Sequence, residues 1–194
     1  MKAEKEFTRQ RDDISRRRRA LPWVWVATDD EFDTSDGKQS LAEGFDGAVT
    51  HLAQRDVTFP ACSRAPLDIL QAFRDRMGWR FPWVSSLGSS FNEDYHVTFS
   101  DAERETETAF YNYRPGGFPM SEVPGLSAFV KDGDGALYHS YSCYARGLDA
   151  MIGTYQFLDL TAKGRDEDDL DWEMAWVRDH DRYDEKVDLG AGFT

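Results

Sequence analysis

The chain has 194 residues, 40% hydrophobic and 30% charged, with a formal net charge of −13. That length suffices for one domain with a real core, burying roughly 70% of its unfolded surface, while the acidic balance argues against general nucleic-acid binding because phosphates would be repelled. No apolar run approaches the roughly 20 residues of a membrane span, the N-terminus lacks the apolar segment of a secretory signal, and two cysteines, Cys62 and Cys143, are too few for a disulfide framework, so a reducing, cytoplasmic setting is expected.

Residues 2–20 are free of Pro and Gly and read as a helix. Its apolar positions are sparse (Ala3, Phe7, Ile14), and Pro22 ends it. Residues 1–19 carry eight basic side chains against four acidic ones, whereas residues 165–188 carry eleven acidic against four basic. Such runs are either two solvated surfaces or ends that attract each other, within one chain or across a dimer. The division is therefore a charged helical arm over 1–20, available for pairing with another copy, and a single domain over 21–194 with an acidic C-terminal tail.

Trp23 to Ala27 is a strand candidate. With Phe32 to Thr34 and the turn Ser35-Asp36-Gly37-Lys38 it outlines an N-terminal β-hairpin. Phe45, Ala48, Val49 and Leu52 share one helical face. Val57 to Ser63 reads as the next strand, but Pro60 inside it demotes it to an edge or a bulge. Pro66 opens a helix whose stripe is Leu67, Leu70, Phe73 and Met77, with Gly78 as its C-terminal cap. Phe81 to Ser85 is a short extended segment, Ser86 to Asn92 a polar loop, and residues 98–114 an insertion.

The strongest pattern is Val123 to Gly147. Leu126 to Val130 is a short apolar run, Asp132-Gly133-Asp134-Gly135 tolerates positive φ and reverses the chain, and Leu137 to Tyr144 is an aromatic-rich return strand. An X-Pro step, Val123-Pro124, stands in front of it, where a cis bond is least unfavourable. Leu148, Met151, Ile152 and Tyr155 mark a further helix, and in the acidic tail Trp172 and Trp176 lie one helical turn apart.

Catalytic signatures are few. There is no C-x-x-C to lower a thiol pKa. His51, His96, His139 and His180 lack ligand spacing, and Asp166 to Asp169 lacks the glycine and distal glutamate of a calcium loop. No phosphate-binding loop, dinucleotide fingerprint or nucleophile elbow is present, so no metal and no cofactor is expected. Cys62, four residues before Pro66, either feels the dipole of the following helix or behaves as a small core hydrophobe. The tryptophan pairs Trp23 and Trp25, Trp79 and Trp83, and Trp172 and Trp176 are core residues or, where exposed, a binding surface.

The runs LPWVWV, FDTSDGKQSLAE, RDVTF and SRAPLDILQAFRDRMGWRFPWVSSLGSSFN resemble a bacterial thioredoxin-like family, number 899 among the domains of unknown function. The match continues as VPGLSAFVKDGDGALYHSYSCYARGLDAMIGTYQFLDLTAKGRDEDDLDWEMAWVRDHD. The resemblance implies an α/β fold, a mixed sheet flanked by helices, and a cleft walled by Ser63, Arg64, Val123 and a cis Pro124. Members are described as thiol oxidoreductases. In this chain Leu41-Ala42-Glu43 runs straight into Gly44-Phe45-Asp46-Gly47, without the further strand and cysteine turn of the family pattern. The central strand is thus read as deleted. Its neighbours must pair directly, admit Trp23–Ala27 between them, or leave backbone groups unpaired. Two functions follow: a binding or structural domain without dithiol catalysis, its small-molecule or protein ligand unidentified, or a thiol-dependent oxidoreductase using Cys62 alone. Cys62 and Cys143 are expected on non-neighbouring strands, with no disulfide between them.

Overall fold

The computed structural model describes residues 20–25, 40–171 and 173–183. Its elements in chain order are β1 (Ala20–Trp25), helices α1 (Ser40–Glu43) and α2 (Asp46–Gln54), β2 (Ala61–Ser63), α3 (Leu67–Met77) and β3 (Trp83–Ser85). There follow α4 (Phe91–Asp94), α5 (Asp101–Glu105), the hairpin β4 (Ala109–Tyr111) and β5 (Arg114–Gly116), then β6 (Gly125–Lys131) and β7 (Leu137–Tyr144). A 3₁₀ segment, Ala145–Met151, and α6 (Gly153–Leu158) close the series. Of the helical arm expected at residues 2–20 only Ala20 is described, and it opens β1, which also contains Pro22. The rest of the arm, the second limb of the expected N-terminal hairpin and Trp172 lie outside the described residues.

Five strands make one thioredoxin-like mixed sheet in the order β3-β2-β1-β6-β7. The first three are parallel, and β6 and β7 are antiparallel to their neighbours. At the centre β1 pairs with β6 along its whole length, from Ala20 opposite Val130 to Trp25 opposite Gly125. Its other edge meets β2, with Val24 opposite Ala61 and Trp25 opposite Cys62. Of the three ways to close the middle of the sheet, the chain takes the second: the N-terminal strand stands between β2 and β6.

The two faces follow from the period-two alternation of strand side chains. Ala61 and Trp83 face α3, whose buried Leu70, Phe73 and Met77 join Trp79 and Phe81 in the larger core cluster. Trp79 and Trp83 are both buried, with ring centroids 5.5 Å apart, so this pair is core. Cys62 and Val84 face the other way, into a second cluster with Val97, Phe99, Tyr111, Val123 and Tyr144. Residues 98–114, read as an insertion, supply part of this second core through Phe99, Ala109 and Tyr111. Pro66 caps α3, and Gly78, at φ 67°, ends it in the left-handed region.

Four local expectations need correction. Pro60 does not sit inside a strand: pairing begins at Ala61, whose N–H donates to the carbonyl of Pro82 (2.8 Å), so the missing proline donor falls just before the ladder. The Val123–Pro124 bond is trans, as are all peptide bonds among the described residues. The segment runs extended from the Thr98–Glu122 bridge through Val123, whose N–H donates to Val97, straight into β6, so no reversal is required there. The helix expected over Leu148–Tyr155 is broken at Ile152 (φ −96°, ψ 80°) just before Gly153, leaving a 3₁₀ turn and a short helix. The tail around Trp176 forms turns rather than a helix.

Gly125 opens β6 where nothing larger fits. A Cβ there would lie 2.9 Å from the ring of buried Tyr144 and 3.1 Å from Val97. Gly125→Ala is expected to destabilise the fold by about 1–3 kcal/mol through overpacking, read as a lower urea midpoint with an unchanged slope.

Candidate functional site

The polar centre of the molecule is Glu122, 6% exposed, on the extended segment that leads into β6. Its carboxylate accepts hydrogen bonds from the Thr98 hydroxyl (2.6 Å), Arg64 Nη1 (3.0 Å) and Asn92 Nδ2 (3.3 Å). Burial pushes its pKa up, and these three donors only partly offset that. Each partner comes from a different connection: Arg64 follows β2, Asn92 lies in α4, and Thr98 forms the isolated bridge with Glu122. Asn92 is itself buried, and its Oδ1 has no hydrogen-bond partner among the described residues.

Arg64 and Thr98 also line a cavity of about 330 Å³ whose other walls include Glu93, His96, Glu103 and Phe110. His96 adopts a positive φ of 53°, unusual for a residue with a side chain, and packs edge-on against Phe110 (4.9 Å). Glu103 is held below the usual carboxylate range, chiefly by hydrogen bonds from the side chain and backbone of Ser100. The cavity thus joins an aromatic wall, a guanidinium and several carboxylates. A second cavity, about 190 Å³, lies between α6 and the tail, lined by Glu43, Tyr155, Trp176 and His180.

The sequence-predicted residues disperse around this centre. Cys62 is completely buried in the middle of β2, not at its end. Strand alternation turns it away from the face on which α3 packs, so the helix dipole does not act on the sulfur as the sequence reading allowed. Burial drives its thiol pKa far above the ordinary value. The nearby Ser86 hydroxyl acts in the opposite sense, and the charge of Glu122 adds to the rise. Ser63 is buried and accepts from Trp83 Nε1 (3.0 Å), a packing role. Arg64 and Val123 flank Glu122, whereas the Pro124 carbonyl accepts from the Tyr111 hydroxyl (2.7 Å), on the second core. Cys143, buried in β7, is separated from β2 by two intervening strands, β1 and β6, and both cysteines are free.

Sequence reasoning missed Glu122, Asn92 and Thr98. The available signal was an acidic side chain directly before the apolar VPGLSAF run, where burial is costly without partners. Among the described residues no group of three or more His, Cys, Asp or Glu is placed to hold a metal, and no helix is long and apolar enough to cross a membrane.

The model of a family described as "Bacterial protein of unknown function (DUF899)" matches residues 1–49 and 42–183. The two matches overlap at residues 42–49. No curated protein matches the chain. Among solved structures, the Xanthomonas campestris bacterioferritin comigratory protein is 12% identical, covering 70% of this chain and 77% of that one, with a TM-score of 0.44. Peroxiredoxin Q of Xanthomonas campestris is 14% identical over 72% and 78%, with a TM-score of 0.44. Xylella fastidiosa PrxQ is 12% identical over 75% and 80%, also at 0.44. At these scores the likeness transfers no chemistry to this chain.

A carboxyl whose folded pKa is raised takes up protons on folding, so its contribution to stability falls as pH rises through the folded pKa. Glu122→Gln is expected to remove that segment of the pH dependence, giving a flatter stability profile between mildly acidic and neutral pH. Arg64→Ala, which leaves the carboxylate without its cation, is expected to destabilise at neutral pH by about 1–3 kcal/mol. Urea titrations of both variants across that range measure the difference.

Proposed function

This chain belongs to the DUF899 family of bacterial proteins, and we propose that it is a shortened thioredoxin-like member that works by binding a ligand beside Arg64 rather than by dithiol exchange. The observation that carries this reading is the state of Cys62: fully buried, on the sheet face away from α3, with its thiol held protonated by burial. Exchange needs an attacking thiolate and a second thiol close by to release the mixed disulfide. Cys143 is three strands along the sheet, beyond β1 and β6, and its thiol pKa is itself pushed up by burial.

Binding is supported by the cavity at Arg64 and Thr98, which share the Glu122 carboxylate. A ligand there meets a positioned guanidinium, backed by a buried carboxylate, and an aromatic wall at Phe110. The sheet supports a shortened member as well, because β1 stands in its centre and the family match divides at residues 42–49. The competing reading, a thiol oxidoreductase working through Cys62, rests on the Ser86 hydroxyl beside the sulfur, which favours the thiolate.

Thiol chemistry separates the two. In the native protein Cys62 and Cys143 are expected to react with iodoacetamide at least about tenfold more slowly than free cysteine, one pKa unit being a tenfold loss of thiolate. Both should label fully once the chain is unfolded. Insulin reduction driven by dithiothreitol should stay at the reagent blank. Turnover above that blank, lost in Cys62→Ser, would establish the oxidoreductase reading instead.

A further inference from the structure

The hairpin of β6 and β7 runs beyond the body of the domain. Every residue from Gly133 to Tyr141 is exposed, and among the described residues β7 is the outermost strand on its side of the sheet. Tyr138 and Tyr141 are each 56% exposed, and Val130 and Leu137 are also open to solvent. An edge strand normally guards its unpaired backbone with lysine, proline or an inward charge. β7, LYHSYSCY, has no formally charged residue and no proline.

The register concentrates the apolar surface. Tyr138 lies opposite Val130 and Tyr141 opposite Ala128, with a bulge between Ala128 and Phe129. Alternation alone would send Tyr138 and Tyr141, three residues apart, to opposite faces. The extra residue brings both to the side shared by Ala128 and Val130. The other side is already in use: Phe129 and His139 pack with Tyr95.

We propose that a second copy of this chain adds its β7 antiparallel to this one along Leu137–Tyr141, with His139 at the two-fold axis. Tyr138 then lies opposite Ser140 of the second copy. The five-stranded sheet continues into a ten-stranded one, and the Tyr138 and Tyr141 rings of both copies cover each other. Charge selects this occupant. At a net charge of −13, two copies repel over most approaches, and an uncharged strand lets them meet without like charges in register. The same axis carries the acidic turn Asp132–Asp134 of each copy toward the other copy's Arg146, a 69% exposed guanidinium whose partners in this chain are Asp149 and Glu173. Pairing ends at Tyr141, whose own carbonyl lies 3.0 Å from His139 Nε2, and the next carbonyl, Ser142 O, accepts from the Tyr113 hydroxyl (2.9 Å).

The test is sedimentation equilibrium of the full chain at micromolar concentration. The expected mass is twice the monomer's 22.2 kDa. Tyr141→Lys, which places a lysine on the edge, and Ser140→Pro, which removes a backbone donor, should each return the mass to that of the monomer. Their circular dichroism and thiol protection should match the unmodified chain, showing that the fold is intact. Arg146→Asp should weaken the dimer at low salt, and Asp134→Arg in the same chain should restore it. A monomeric unmodified protein overturns the proposal. So does a dimer that survives both edge variants, including one lost instead on removal of residues 2–19.

Discussion

The sheet depends on what stands at its centre. β2 is three residues long and pairs with β3 on one side, while β6 pairs with β7. Between them two rows of backbone N–H and C=O groups face each other, and leaving such groups buried without partners costs about 1–3 kcal/mol each. β1 meets six residues of β6 and two of β2. It ties the parallel half to the antiparallel half, because among the described residues no other strand touches both. The core clusters on the two faces exist because this strand closes the layer that separates them.

That closure also fixes the chemistry of β2. With Ala61 and Ser63 on the α3 face, Cys62 falls on the opposite face among Val84, Val97 and Tyr144. A thiol held there gains dispersion contacts and loses water, so the protonated form is favoured. The residue that does reach an open cavity is Arg64, where the strand has ended and alternation no longer applies. Its partner Glu122 is buried, and an ionised carboxylate in that position persists only because three donors converge on it. Polar function therefore begins two residues beyond the cysteine.

Much of this was legible in the sequence where the signal is local. The Asp132–Gly135 turn forms as read: Asp132 Oδ1 accepts from the N–H of Asp134 and Ala136, and Gly135 takes φ 90°. The stripe on α3 and its glycine cap needed only periodicity and one special φ. Pro60 was misplaced because a proline signal says where a ladder donor is missing, not which residue starts the ladder. The break at Ile152 escaped because Leu148, Met151, Ile152 and Tyr155 keep helical spacing across it, and only Leu148 and Tyr155 are deeply buried. The Glu122 site was invisible for a different reason: Arg64 and Glu122 are 58 residues apart, and no periodicity or motif connects them.

The acidic tail, read from sequence as a solvated or pairing surface, is folded onto the domain by two carboxylates in contrasting circumstances. Glu167 accepts from Trp176 Nε1 (2.7 Å), from the N–H of Met174 (3.0 Å) and from the Tyr155 hydroxyl. Burial alone would raise its pKa, yet these donors bring it below the ordinary value. Asp179 is wholly buried against Arg76 (3.0 Å), and its Oδ1 has no partner among the described residues. Burial raises its pKa despite Arg76 and Arg182, and Glu43 adds to the rise. The signs of linkage are opposite: the contribution of Glu167 is lost as pH falls through its lowered folded pKa, whereas that of Asp179 weakens as pH rises through its raised one. Depth and donors together decide which way the tail responds: Asp179 is wholly buried, whereas Glu167 is only half-buried and accepts from three donors. A saturated acid holds the tail against α6 at neutral pH, and an under-saturated one limits how firmly it grips α3.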